Sequence, residues 1–141
     1  MRFDVDKLTT AVRQACPEAV FAFLHGSARD GDIREGGDID IALYLEGPTT
    51  LEILGRVIRA VEELAPGVRC DCGVLNRADC VYRFEALKGR MLFCRDEEKY
   101  AGFFSLTCRE YEYQMADYER QHRYRLEYHC GEQTASERNL S

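Results

Sequence analysis

The chain of 141 residues has no apolar run long enough to cross a membrane, a span that takes about 20 residues. Its first residues, Met1-Arg2-Phe3-Asp4-Val5-Asp6, have no apolar segment of the signal-peptide kind, so a cytoplasmic location is expected. There are no internal repeats, low-complexity tracts or linker-like stretches, so one domain is expected over 1–130. Positive charge is not in excess. The net charge of −6 disfavours nonspecific nucleic-acid binding. Seven cysteines are scattered at 16, 70, 72, 80, 94, 108 and 130. Without a secretion signal they read as small buried apolar residues rather than a disulfide framework. Cys70 and Cys72 resemble half a zinc site, but no second pair follows at ligand spacing.

What is present is a regular alternation of helical and strand patterns. Val5, Leu8, Val12 and Ala15 give one helix face over 4–16, stopped by Pro17. Residues 19–25 form an apolar strand, and Gly26 starts a turn with a short helix near Ser27. Asp30-Gly31-Asp32 and Gly36-Gly37 mark a polar loop. A second strand covers 38–45. Thr49 and Glu52 have capping-box spacing, with Leu51, Leu54, Val57, Ile58, Val61 and Leu64 as the buried stripe behind them. Pro66-Gly67 ends that helix. A third strand spans 68–75, a helix 78–88, and a short strand 91–94. A long helix runs 96–130, ended at Gly131, followed by a polar, disordered tail over 131–141. The fold class is α+β, a small mixed sheet with helices packed on it and a long C-terminal helix.

The chemistry lies in one spacing: Gly26-Ser27, ten residues, then Asp38-Ile39-Asp40. Strand alternation puts Asp38, Asp40, Ala42 and Tyr44 on one face, and Ile39, Ile41, Leu43 and Leu45 on the other. The apolar face belongs to the core, so both aspartates emerge on the open side. Two such carboxylates repel, and a divalent cation relieves the repulsion. In the third strand Val68, Cys70, Cys72 and Val74 face the core, so Asp71 projects beside Asp38 and Asp40. Three converging carboxylates suit one or two magnesium ions and nucleotidyl transfer. Asp71 would help hold the second metal or accept a proton from the attacking hydroxyl. Gly26 allows close approach of a phosphate, and a helix beginning at Ser27 offers free amides, its dipole and a hydroxyl.

The segment from His25-Gly26-Ser27-Ala28-Arg29-Asp30-Gly31 to Gly37-Asp38-Ile39-Asp40-Ile41 resembles the signature of the polymerase-beta-like nucleotidyltransferases, above all their minimal members, the MNT proteins. Arg69-Cys70-Asp71-Cys72-Gly73-Val74-Leu75-Asn76 is similar to the family's third-aspartate segment. Residues 82–93 are similar to its following helix and strand. The resemblance covers residues 1 to about 128. It implies the nucleotidyltransferase fold and magnesium-dependent transfer of AMP from ATP, with two ions. It further implies an antitoxin that adenylylates a tyrosine of a HEPN-domain ribonuclease toxin. Gly26, Ser27 and Arg29 would then bind nucleotide, and Asp38, Asp40 and Asp71 would be catalytic and hold metal. The chain departs from the pattern at Asp30, where arginine is common, and at Gly37, where serine is common. A small-molecule acceptor and a non-catalytic module that neutralises by contact are the rival readings.

The last helix is rich in aromatics: Tyr100, Phe103, Phe104, Tyr111, Tyr113, Tyr118, Tyr124 and Tyr128. Up to Tyr111 these read as packing on the sheet. Beyond Tyr118 the mixed arginine–tyrosine surface of Arg120, His122, Arg123, Tyr124 and Arg125 suits a partner protein or self-association. His25 reads as a strand-end histidine with a backbone partner. His122, His129 and Cys130 do not make a metal set.

Overall fold

The computed structural model describes the backbone of residues 1–140 and the side chains of residues 1–127. The element order is α1 (Val5–Ala15), β1 (Ala19–His25), a 3-10 turn (Gly26–Ala28), β2 (Ile39–Leu45), α2 (Leu51–Leu64), β3 (Cys70–Val74), α3 (Cys80–Leu87), β4 (Arg90–Cys94) and α4 (Glu97–Leu140). The four strands form one sheet in the order β3-β2-β1-β4. β1 pairs antiparallel with both β2 and β4, and β2 pairs parallel with β3. The parallel pair needs a crossover, which α2 supplies. Among the described residues no helix is long and apolar enough to cross a membrane.

Both faces of the sheet are covered. On one, Ala22, Leu24, Ile39, Ile41 and Leu43 pack under Leu8 and Val12 of α1 and Val57 and Val61 of α2. On the other, Phe21, Phe23, Ala42 and Tyr44 pack with Tyr100 and Phe103 of α4. The face that carries the aspartates is therefore covered over Ala42 and Tyr44. Phe21 stacks on Tyr44 at 4.7 Å between ring centroids and meets Phe103 at 5.3 Å. β1 is apolar at every position but its last because each of its faces meets a helix layer.

Caps set the helix ends. Asp4 accepts from the amides of Asp6 and Lys7, Asp79 from Tyr82, and Asp96 from Glu98 and Lys99. α2 corrects the expected box: its N-cap is Thr50, which accepts from the amide of Ile53. A start one residue later leaves Leu51 outside the stripe, 88% exposed. α4 continues past Gly131, where its end is expected from the sequence. A glycine inside a helix costs only about 1 kcal/mol against alanine and does not by itself stop one. The expectations for the side chains of Tyr128, His129 and Cys130, and for those of the tail, lie outside the described residues.

Candidate active site

Two of the three aspartates, Asp40 and Asp71, are delivered by the β1-β2-β3 register. His25 lies opposite Asp40 in the antiparallel pair, and Asp40 lies beside Asp71 in the parallel pair. Laterally paired residues share a face, so His25, Asp40 and Asp71 form one row across three strands. Asp38 stands just before β2, whose first amide, from Ile39, donates to the Arg69 carbonyl at 2.9 Å. A cleft of about 500 Å³ adjoins Asp38 and includes Arg34, Glu35 and Arg69 in its lining.

Electrostatics in the row are unbalanced. Burial lifts the Asp40 carboxyl above its usual range. His25 draws it back, and the negative charges of Asp71 and Asp38 add to the rise. Burial lowers the His25 imidazole, against the pull of Asp40, Asp71 and Glu85. Among the described residues no three His, Cys, Asp or Glu side chains close into a metal cage. An all-carboxylate, half-open donor set nonetheless fits magnesium, which keeps waters and takes substrate phosphate oxygens as further ligands.

Gly26 closes the row from below. Its φ is +75°, and a Cβ there would collide with Oδ2 of Asp40. Glycine is thus required both by its backbone conformation and by the carboxylate lying against it. The following turn is three residues of 3-10 helix, Gly26–Ala28, and not the longer helix expected at Ser27. So short a turn has almost no macrodipole, and what it offers a phosphate is its amides and the Ser27 hydroxyl. Ser27, Arg29 and Asp30 are exposed, and among the described residues Arg29 makes no ion pair. Gly37 has a local reason. Its amide donates to the Arg34 carbonyl at 2.8 Å, and a Cβ would lie 2.9 Å from that oxygen.

His25 corrects its expected partner. Its Nε2 is 3.4 Å from the Tyr82 hydroxyl, and the two rings meet edge-to-face. Tyr82, from the first turn of α3, roofs the row: a Cβ on Gly73 would strike its Oη. Burial, with Asp71, Cys72 and Asp40 nearby, pushes the Tyr82 phenol up to about 12. Sequence reasoning missed Tyr82. The available signal was Gly73, because a glycine inside a strand marks close approach of another group. The six described cysteines are free thiols. Burial pushes Cys70 and Cys72 up to about 12, which keeps them protonated at neutral pH.

The sequence matches the family model "Polymerase beta, Nucleotidyltransferase" over residues 6–98. The fold is similar to that of a toxin–antitoxin solved with AMP-PNP, at TM-score 0.66 and 19% identity, covering 81% of this chain and 91% of that one. It is also similar to a Shewanella oneidensis complex of a tri-AMPylated HEPN toxin with its MNT antitoxin, at TM-score 0.61 and 18% identity, with 80% and 87% covered. A third neighbour is a candidate minimal nucleotidyltransferase, at TM-score 0.50 and 27% identity, with 62% and 93% covered. No curated protein matches the chain.

Proposed function

This chain belongs to the polymerase beta nucleotidyltransferase family, and on that premise we propose that it transfers AMP from ATP to a tyrosine of a HEPN-type toxin and so acts as its antitoxin. One observation carries the reading: Asp40 and Asp71 are lateral partners on one face, directly over the Gly26 turn. Two solved neighbours support the acceptor and the nucleotide. One contains an AMPylated HEPN toxin and the other AMP-PNP.

In this reading the Gly26 and Ser27 amides and the Ser27 hydroxyl hold the triphosphate, with Arg29 reaching it from the rim. Asp38, Asp40 and Asp71 would hold magnesium, which when bound neutralises phosphate charge and favours departure of pyrophosphate. The acceptor oxygen attacks the α-phosphorus in line, and the bond from that phosphorus to the bridging oxygen breaks. Asp71, on the exposed edge strand β3, takes the acceptor's proton. The protein's contribution is positioning and charge, not covalent chemistry.

The partner surface is assigned to α4. Leu106, Tyr113, Tyr118 and Tyr124 are exposed on it, interspersed with Arg109, Arg120, Arg123 and Arg125. Exposed tyrosine and arginine are the residue types that dominate protein interfaces. The same surface is where a second copy would bind if the protein self-associates.

The test is incubation with magnesium and ATP labelled at the α-phosphate, with and without the partner. Label on a partner tyrosine that disappears in Asp40→Asn is expected. Label on a small molecule alone would redirect the reading to a small-molecule acceptor. A stable unlabelled complex that survives Asp38→Ala would establish neutralisation by contact alone.

A further inference from the structure

We propose that Tyr82 is an acceptor in cis: without a partner hydroxyl in the site, the enzyme transfers AMP to its own Tyr82. This rests on the adenylyltransferase reading above and concerns a residue that reading does not use.

The placement of Tyr82 comes from four features. Asp79 caps α3 by accepting from the Tyr82 amide at 2.9 Å, which fixes the tyrosine in the helix's first turn. Its side chain leaves α3 toward the sheet, where Oη lies 3.4 Å from His25 Nε2. A Cβ at Gly73 would collide with that same oxygen. Gly73 follows Asp71 by two residues, and its lateral partner Ala42 follows Asp40 by two. The phenol oxygen therefore lies on the carboxylate face, one step along the strands from the Asp40–Asp71 pair.

Gly73 sharpens the point. It lies inside a strand, where glycine weakens the ladder, and its φ is not in the left-handed region. What its missing side chain provides is room for the Tyr82 hydroxyl. Packing alone does not call for that oxygen, since a phenyl ring would cover the same apolar surface. Tyr82 is only half-buried, so the ring is not sealed into the core.

The step balances with ATP as the only co-reactant. Oη of Tyr82 attacks the α-phosphorus, forming a phosphodiester to the tyrosine. The bond between the α-phosphorus and the oxygen bridging to the β-phosphorus breaks, and pyrophosphate leaves with that electron pair. The phenolic proton passes to His25 Nε2 in the tautomer whose ring proton sits on Nδ1, the form in which Nε2 accepts. Tethering makes the reaction unimolecular, so no partner has to be captured.

The experiment uses the full chain with magnesium and α-labelled ATP, and no partner. Peptide mass mapping is expected to place one AMP on Tyr82, at a first-order rate independent of protein concentration. Tyr82→Phe keeps the ring packing and is expected to lose the label, with its thermal midpoint reporting that it folds. AMP found on another residue, or retained by Tyr82→Phe, overturns the proposal. So does a wild-type chain that labels the HEPN partner but never itself, and that outcome leaves the function reading intact. Transfer to neither acceptor overturns both.

Discussion

Asp40 has three neighbours of different character: a histidine beside it, a carboxylate on its other flank and a glycine beneath. Its raised proton affinity reflects burial first and like charge after that. Asp40→Asn removes a repulsive charge, so the ligand-free protein is expected to melt no lower than wild type while nucleotidyl transfer is lost. A thermal melt alongside a labelled-ATP assay reads both. Gly26→Ala behaves oppositely. It forces a side chain into φ +75° and into the Asp40 carboxylate, at a cost of about 1–3 kcal/mol. Denaturant titration is expected to show that loss together with weaker nucleotide binding. The shared face of Asp40 and Asp71 was legible in the sequence because strand alternation alone fixes which face a residue takes. The Tyr82–His25 contact was not. It joins residues 57 apart in the chain, and helix periodicity carries no information about which strand a helical side chain will meet.

At the level of elements, the aspartate row depends on β1 holding its place between β2 and β4. Arg95 anchors the start of β1. It donates to the carbonyls of Arg13, Cys16 and Ala19, and its guanidinium lies 4.7 Å from the Phe93 ring centroid. Arg95→Ala strips the donor from the C-terminal end of α1 and is expected to cost about 1–3 kcal/mol in a denaturant titration. The order of helices and strands was legible from apolar periodicity, and the end of α1 from Pro17. The start of α2 was misread by one residue because Thr49 and Thr50 are equally good caps and only tertiary packing chooses between them. The aromatics of α4 up to Tyr111 were legible as packing on the sheet, but not that Tyr100 and Phe103 cover Ala42 and Tyr44 on the aspartate face, which was expected to be open. Reversing charge on α4 with Arg120→Glu and Arg123→Glu is expected to weaken partner binding at least about tenfold. It should leave the free energy of unfolding within about 0.5 kcal/mol of wild type, because both side chains are exposed. Calorimetric titration against the partner checks this.

For the whole molecule, one ion pair ties the sheet's entry to the helical layer. Arg56 of α2 meets Glu18, just before β1, at 2.7 Å. The hydrogen bond from Arg56 holds the Glu18 carboxyl below its ordinary value of 4.5. A depressed carboxylate contributes stability that is complete above that value and is lost as pH falls through the lowered one. The pair is about a third exposed, so solvent screening keeps its contribution small. Arg56→Ala is expected to remove that part of the acid-dependent slope, as unfolding midpoints at neutral and acid pH would register. The central claim is that the aspartate row performs nucleotidyl transfer. Its most direct test is single-turnover pyrophosphate release from ATP, with magnesium and the HEPN partner present, in wild type and Asp40→Asn. The account predicts release in step with AMP appearing on the partner tyrosine, and none from Asp40→Asn. Release that is unchanged in Asp40→Asn would contradict it.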